Sequence, residues 1–175
     1  MNTPELASYI LVTDSTHLAE VCRTLRQSTR IAVDTEADSM HHYPEKVCLV
    51  QIATDEQVYL IDPLATHDLS GLAPVLADQS IQKLLHGADY DIRGMNRDYS
   101  MVFNNLFDTH LAARVLGLER LGLAGLLHFD VRDPTGKTGG FGTAGRIGIS
   151  QVRDLSQPSR RKAFGHATRC CTFSP

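Results

Sequence analysis

The amino-acid sequence predicts an α/β fold, in which a mixed sheet of antiparallel and parallel strands is flanked by helices on both faces. Three apolar, β-branched runs between residues 31 and 61 are separated by short polar connections, which favours neighbouring antiparallel strands. After residue 61, helix-like and strand-like segments alternate, as they do where helices connect parallel strands. The apolar fraction of 42% and the charged fraction of 21% are those of an ordinary globular protein.

The first half of the chain supplies most of the predicted strands. Residues 9–13 form a β-rich run, and residues 14–16 then offer an N-cap to an amphipathic helix whose apolar positions recur up to Leu25. The strands of the predicted meander are residues 31–33, 47–53 and 58–61. Their connections are too short for crossover helices, which need about a dozen residues.

The second half alternates between the two kinds of element. The predicted elements are a helix over 69–77, a strand over 82–86, a helix over 90–99, a helix over 110–116 capped by Asp108 and Thr109, and a short helix over 121–129. Periodicity ends there. A ribonuclease H-like mixed sheet, incomplete at its C-terminal end, accounts for this order better than a purely parallel flavodoxin-like sheet.

Charge divides the chain at about residue 130. Residues 1–130 carry 9 Lys and Arg against 18 Asp and Glu, whereas residues 131–175 carry 8 against 2 and hold 7 of the 13 glycines. We therefore expect one folded domain over 1–130 and a Gly- and Arg-rich tail over 131–175. No apolar run approaches the ~18 residues of a membrane span, and the N-terminal sequence lacks a secretory pattern, so we expect a cytoplasmic protein.

Two carboxylates stand close together where the first meander strand ends. Asp34 and Glu36 are two residues apart, so on a strand both side chains project from the same face. Divalent cations such as Mg²⁺ and Mn²⁺ prefer oxygen ligands, and such ions assist phosphoryl transfer. The alternative interpretation of this pair is a solvated strand end.

The surrounding motifs decide between these interpretations. The segments that carry the resemblance are residues 33–40, 43–44, 46–53, 59–63, 83–92, 105–109 and 121–127. In this order they resemble the ribonuclease D-like 3′-5′ exonucleases of the DEDD type, and the resemblance covers residues 9–129.

The resemblance implies a two-metal exonuclease that removes nucleotides from a single-stranded 3′ end, of RNA rather than DNA. It assigns catalysis and binding of Mg²⁺ or Mn²⁺ to Asp34, Glu36 and Asp91. Asp91 is preferred to Asp89 because the family's acid lies five residues after the position of His86. Asp89 suits the N-terminal turn of a helix, where a negative charge is favourable.

Further residues match positions that contact substrate or support the site. Met40, Tyr43 and His86 are the substrate-binding candidates that the resemblance implies, and an apolar side chain against a base or sugar is physically sensible. For Met40 and Tyr43 the alternative is packing beneath the loop. Asp108 also matches a family position, but we interpret it as a helix N-cap.

The family's third motif, a Tyr four residues before a final Asp, has no match. No Tyr follows Tyr99, and we reject the pair His128 and Asp133 because it comes too soon after Asp91. Residues 131–175 are a divergent tail, a basic nucleic-acid-binding extension, a disordered segment or the product of a shifted reading frame, and the last is favoured.

The sequence thus predicts a 3′-5′ exonuclease of impaired activity. The principal alternative is a non-catalytic nucleic-acid-binding module whose basic tail adds affinity. An unstable fragment without a role is a third possibility.

Overall fold

A computed structural model describes residues 9–38 and 45–127 of the 175-residue chain. Within these ranges one sheet contains the strands β1 (Tyr9–Val12), β2 (Arg30–Ala37), β3 (Val47–Ala53), β4 (Val58–Ile61), β5 (Gln82–Leu85) and β6 (Leu106–Asp108). The helices are α1 (Ser15–Leu25), α2 (Pro63–Thr66), α3 (Ala73–Ala77), α4 (Asp89–Tyr99), α5 (Thr109–Val115) and α6 (Leu123–Leu127). No described helix has the length and apolar character to cross a membrane.

The strand order of the described sheet is β1-β4-β3-β2-β5-β6. Strands β2, β3 and β4 pair antiparallel, as their short connections predicted. The β1–β4, β2–β5 and β5–β6 pairs are parallel. The predicted mixed α/β sheet is therefore confirmed, and β2 lies inside it with a neighbour on each side.

Apolar side chains pack on both faces of the sheet. Strand β2 shows the division, because Ile31 and Val33 belong to the larger core cluster whereas Ala32 belongs to the smaller one. The larger cluster also contains apolar residues of α1, α3 and α4. Alternation along β2 places Asp34 and Glu36 on the face of the smaller cluster.

Strand β2 is longer than the predicted 31–33, and three other elements differ from the prediction in kind. Strand β6 was not predicted, since it has only three residues and Leu106 in it is exposed. Helix α2 was also missed, although Asp62 and Pro63 offer a cap and a first-turn proline. The helix expected over 69–77 is a 3₁₀ turn at Ser70–Leu72 followed by α3, which has a proline in its first turn.

Candidate active site

Strand β2 presents Asp34 and Glu36 to the smaller core face. In the β2–β3 ladder Asp34 is opposite Gln51, and the Gln51 Nε2 donates a hydrogen bond to the Asp34 Oδ2 at 3.0 Å. Gln51 is only 2% exposed, so the donor of this bond is shielded from water. A buried amide that donates to a carboxylate orients it.

The β2–β3 register breaks immediately after the second carboxylate. Glu36 pairs with Leu49, and Ala37 then pairs with Val47, so one residue of β3 is skipped. Such bulges bend a strand and redirect side chains, and they are frequent beside active sites. The two acids therefore lie where β2 begins to turn away from the regular sheet.

Asp91 reaches β2 from the first turn of α4. Its Oδ1 accepts hydrogen bonds from the Thr35 backbone N–H at 2.8 Å and from the Thr35 hydroxyl at 2.7 Å. The parallel ladder between β2 and β5 extends only to Ala32 and Leu84. Beyond that point no strand of residues 9–38 and 45–127 pairs with this edge of β2, and Asp91 occupies the place that a strand would take.

Burial and a neighbouring acid both act on the charge of Asp91. Burial raises the pKa of Asp91 above its ordinary value, and the charge of Glu36 raises it further, while the two Thr35 hydrogen bonds oppose both effects. Asp91 is 8% exposed. A cation binds favourably next to two such acids, because its positive charge offsets both the cost of burying a carboxylate and the repulsion between the two carboxylates.

His86 follows β5 at the same end of the sheet. Its Nδ1 lies 2.9 Å from the Thr109 Oγ1, and the Thr109 hydroxyl donates its single proton to the Leu85 carbonyl. The imidazole must therefore donate from Nδ1, which leaves Nε2 as the acceptor in the neutral ring. Burial and, secondarily, the nearby His110 lower the pKa of His86, so the neutral form is favoured.

With this geometry established, comparisons with known proteins identify the family. The model of the 3′-5′ exonuclease family matches residues 9–129, which include all three acids. This chain belongs to the 3′-5′ exonuclease family. The exosome complex exonuclease RRP6 of Saccharomyces cerevisiae is 40% identical over 150 residues, which are 85% of this chain and 20% of that protein. The ribonuclease D of Haemophilus influenzae is 38% identical over 108 residues, 62% of this chain and 27% of that protein.

Solved structures of 3′-5′ exonucleases share the fold. The ribonuclease D of Escherichia coli, described as an exoribonuclease involved in structured RNA processing, superposes with a TM-score of 0.66 at 26% identity. The superposition covers 93% of this chain and 46% of that one. The chain thus spans less than a third of the two sequence relatives and about half of this structural relative.

The donor chemistry of this candidate site suits a hard divalent cation, which the family generally uses. Among residues 9–38 and 45–127, however, no three His, Cys, Asp or Glu side chains are grouped closely enough to hold an ion by themselves. Mg²⁺ is usually bound by one or two carboxylates together with waters and substrate phosphates. Asp34 and Glu36 fit that pattern, and Asp91 adds a third negative charge beside them.

The remaining acid and the other substrate-binding candidates lie elsewhere. Asp89 lies on the exposed side of α4 and forms an ion pair with Arg93 at 2.6 Å. Met40 and Tyr43 lie outside the described residues, as does the tail over 131–175.

Two residues that contact the carboxylates were not anticipated from the sequence. Gln51 is a polar residue inside an apolar strand, and that was an available signal for a buried hydrogen bond. Thr35 lies between Asp34 and Glu36 in the sequence. Its contact with Asp91 depends on how α4 docks, which local sequence does not reveal.

Proposed function

We propose that this chain carries the catalytic carboxylates of a ribonuclease D-type 3′-5′ exonuclease that acts on single-stranded 3′ ends of RNA with Mg²⁺ or Mn²⁺. The observation that carries the proposal is the placement of Asp91 on Thr35, the residue between Asp34 and Glu36. Support for RNA comes from the E. coli relative, which is described as an exoribonuclease.

The site residues have separate roles in this proposal. Asp34 and Glu36 hold the ions from β2, and the Gln51 amide fixes the orientation of Asp34. Asp91 contributes negative charge from α4. His86, with Nε2 as an acceptor, receives a hydrogen bond from a ribose hydroxyl of the substrate, and Met40 and Tyr43 contact the terminal nucleotide.

When bound, a pair of divalent ions supplies an activated water and stabilises the leaving oxygen of the phosphodiester. The chain contains no Tyr after Tyr99, so the tyrosine that would orient the water is missing from its motif. Losing one group that stabilises a transition state lowers turnover by about 10²-fold or more. Impaired activity is therefore part of the proposal.

The test incubates the purified chain with Mn²⁺ and a 5′-labelled single-stranded RNA and follows shortening from the 3′ end. We expect slow, EDTA-sensitive shortening that Asp34→Asn and Asp91→Asn abolish. Asp89→Asn is the matched control, since it removes an exposed charge from the same helical turn and should leave the rate unchanged. Equal loss in Asp89→Asn and Asp91→Asn would contradict the assignment of Asp91. Brisk turnover that Asp34→Asn abolishes would contradict the proposed impairment.

The second candidate is a nucleic-acid-binding module without catalysis, which the net charge of +6 in residues 131–175 favours. Such a module binds RNA equally in EDTA and in Mn²⁺, and its affinity falls steeply with salt because phosphate contacts release counterions. One binding titration with and without EDTA separates it from the exonuclease.

The shifted reading frame of residues 131–175 remains a prediction. The alignment with the yeast exonuclease covers 85% of the 175 residues, so it extends past residue 129. Sequencing the gene decides the matter: a Tyr-x-x-x-Asp pattern in the alternative frame downstream of residue 129 supports the shift, and its absence refutes it. A cytoplasmic location, which the sequence favours, completes the proposal and is tested by cell fractionation.

A further inference from the structure

One carboxylate joins the beginnings of two helices next to the site. The Asp108 side chain accepts backbone hydrogen bonds from His110 and Leu111, which begin α5, at 2.8 and 3.2 Å. It also accepts bonds from the Gly87 and Ala88 N–H groups, both at 2.9 Å, in the turn that leads into α4. Although burial opposes it, these four donors lower the pKa of Asp108, which is therefore ionised at neutral pH.

Helix α4 has no capping side chain of its own. Its N-cap residue is Ala88, which has no side-chain oxygen. The unpaired amides at a helix start normally require such an acceptor. Asp108, which is 20 residues further along the chain, supplies both the acceptor and a negative charge that suits the helix dipole.

The opposite end of α4 is fixed to a different strand. The Asp98 Oδ2 accepts a bond from the Val47 N–H at 2.8 Å, and the Tyr99 hydroxyl donates to the Val47 carbonyl at 3.3 Å. A Cβ on Gly94 would lie 3.0 Å from the Val47 side chain, so the helix is close to β3 there. The position of the first turn, which carries Asp91, then depends on what holds the turn at Gly87 and Ala88.

We propose that Asp108 is a positioning residue of the exonuclease site: it fixes the start of α4 and thereby places the Asp91 carboxylate against Thr35. This role goes beyond the N-cap of α5. Its consequence for metal binding rests on the proposed function, whereas its structural part does not.

The two roles of Asp108 are separated by variants that keep the N-cap. Asn caps helices as well as Asp, but its amide NH₂ must face at least one of the four backbone N–H donors. Asp108→Ser also retains capping ability, but its side chain is too short to reach both helices. If Asp108 only capped α5, neither variant would change the exchange of the Thr35 amide or the affinity for Mn²⁺ by much. Asp62→Asn is the matched control, because within the part of the chain that the structure describes the Asp62 side chain accepts bonds only from N–H groups of its own helix, at Leu64 and Ala65.

The direct readout is hydrogen exchange of the Thr35 amide in the metal-free chain, since its N–H is bonded to Asp91. We expect exchange at least about tenfold faster in Asp108→Asn and Asp108→Ser, with the amides of Ala32 and Val33 unchanged. In an Asp91→Asn background, Asp108→Asn should add less to the Thr35 rate. Unchanged Thr35 exchange, or equal acceleration throughout β2, overturns the proposal. So does a failure of both Asp108 variants to fold when Asp62→Asn folds.

A second measurement follows the metal. Calorimetric titration with Mn²⁺ should give a Kd about tenfold higher in Asp108→Asn, because partners that orient ligands typically contribute 10- to 100-fold to affinity. Wild-type chain that binds no Mn²⁺ would refute the proposed function, while Thr35 exchange would still decide the role of Asp108. Unchanged Mn²⁺ affinity in Asp108→Asn, with wild-type binding intact, also overturns the positioning role.

Discussion

Replacing Thr35 by Val tests the contact that brings Asp91 to β2. Val has the shape of Thr and suits a strand, and the backbone N–H bond to Asp91 remains. Only the hydroxyl bond of 2.7 Å to the Asp91 Oδ1 is lost. The carboxylate keeps its burial and its repulsion from Glu36, so its charged form is less well stabilised.

The expected size of this loss follows from the charge and burial of the acceptor. A hydrogen bond to a charged group contributes about 1.5–3 kcal/mol, whereas a neutral one contributes about 0.5–1.5 kcal/mol. The free energy of unfolding at pH 7 should therefore fall by about 1.5–3 kcal/mol. In acid, once Asp91 is protonated, the loss should be smaller.

The assay is urea denaturation at pH 7 and at low pH, both in EDTA. With a slope of about 2 kcal/mol per molar urea, the midpoint at pH 7 should fall by about 1 M. Thr13→Val, at an exposed position, is the control and should change stability by less than about 0.5 kcal/mol. A loss that is independent of pH, or that is no smaller in an Asp91→Asn background, would refute the assigned role of this bond.

Three further predictions concern neighbouring groups. Asp91→Asn should stabilise the metal-free chain at pH 7. Burial raises the pKa of Asp91, so the free energy of unfolding of the wild type falls as the pH rises through that pKa. Thermal melts should therefore show that the stability gained by Asp91→Asn disappears below pH 3.8. Gln51→Leu removes the donor to Asp34 and should raise the Kd for Mn²⁺ about 10- to 100-fold in calorimetry. An unchanged Kd would show that Gln51 does not support metal binding. Gly87→Ala should lower the free energy of unfolding by about 1–2 kcal/mol, because alanine is strained at a φ of +76°. No atom obstructs the new Cβ, so this backbone strain is the whole effect. Gly71→Ala, where φ is not positive, is the control in urea denaturation.

The meander was predictable because its strands are close in sequence. Short connections fixed the antiparallel pairing of β2, β3 and β4, and alternation placed Asp34 and Glu36 on one face. The parallel pairing of β1 with β4 joins residues as distant as Tyr9 and Val58, and nothing local encodes it. Strand β6 was missed because its three residues gain their structure from β5 rather than from their own pattern.

The site was partly predictable for the same reason. The spacing of the strand acids is a local property, whereas the contact between Asp91 and Thr35 depends on the docking of α4. Asp108 was correctly interpreted as a helix cap, since the signal for capping lies in the adjacent residues. Its bonds to Gly87 and Ala88 cross between elements and required the three-dimensional arrangement.

The position of β2 between a near and a distant neighbour has a consequence for folding during synthesis. Its partner residues in β3 follow closely, with Ala37 opposite Val47, whereas Arg30 pairs with Gln82 in β5. Closing the longer loop costs more chain entropy and is slower. At about 5–20 residues per second, a ribosome needs roughly 2–8 s to extend the chain from Gln51 to Asp91. A nascent hairpin of β2 and β3 can therefore form, with Asp34 beside Gln51, for seconds before Asp91 has emerged from the ribosome.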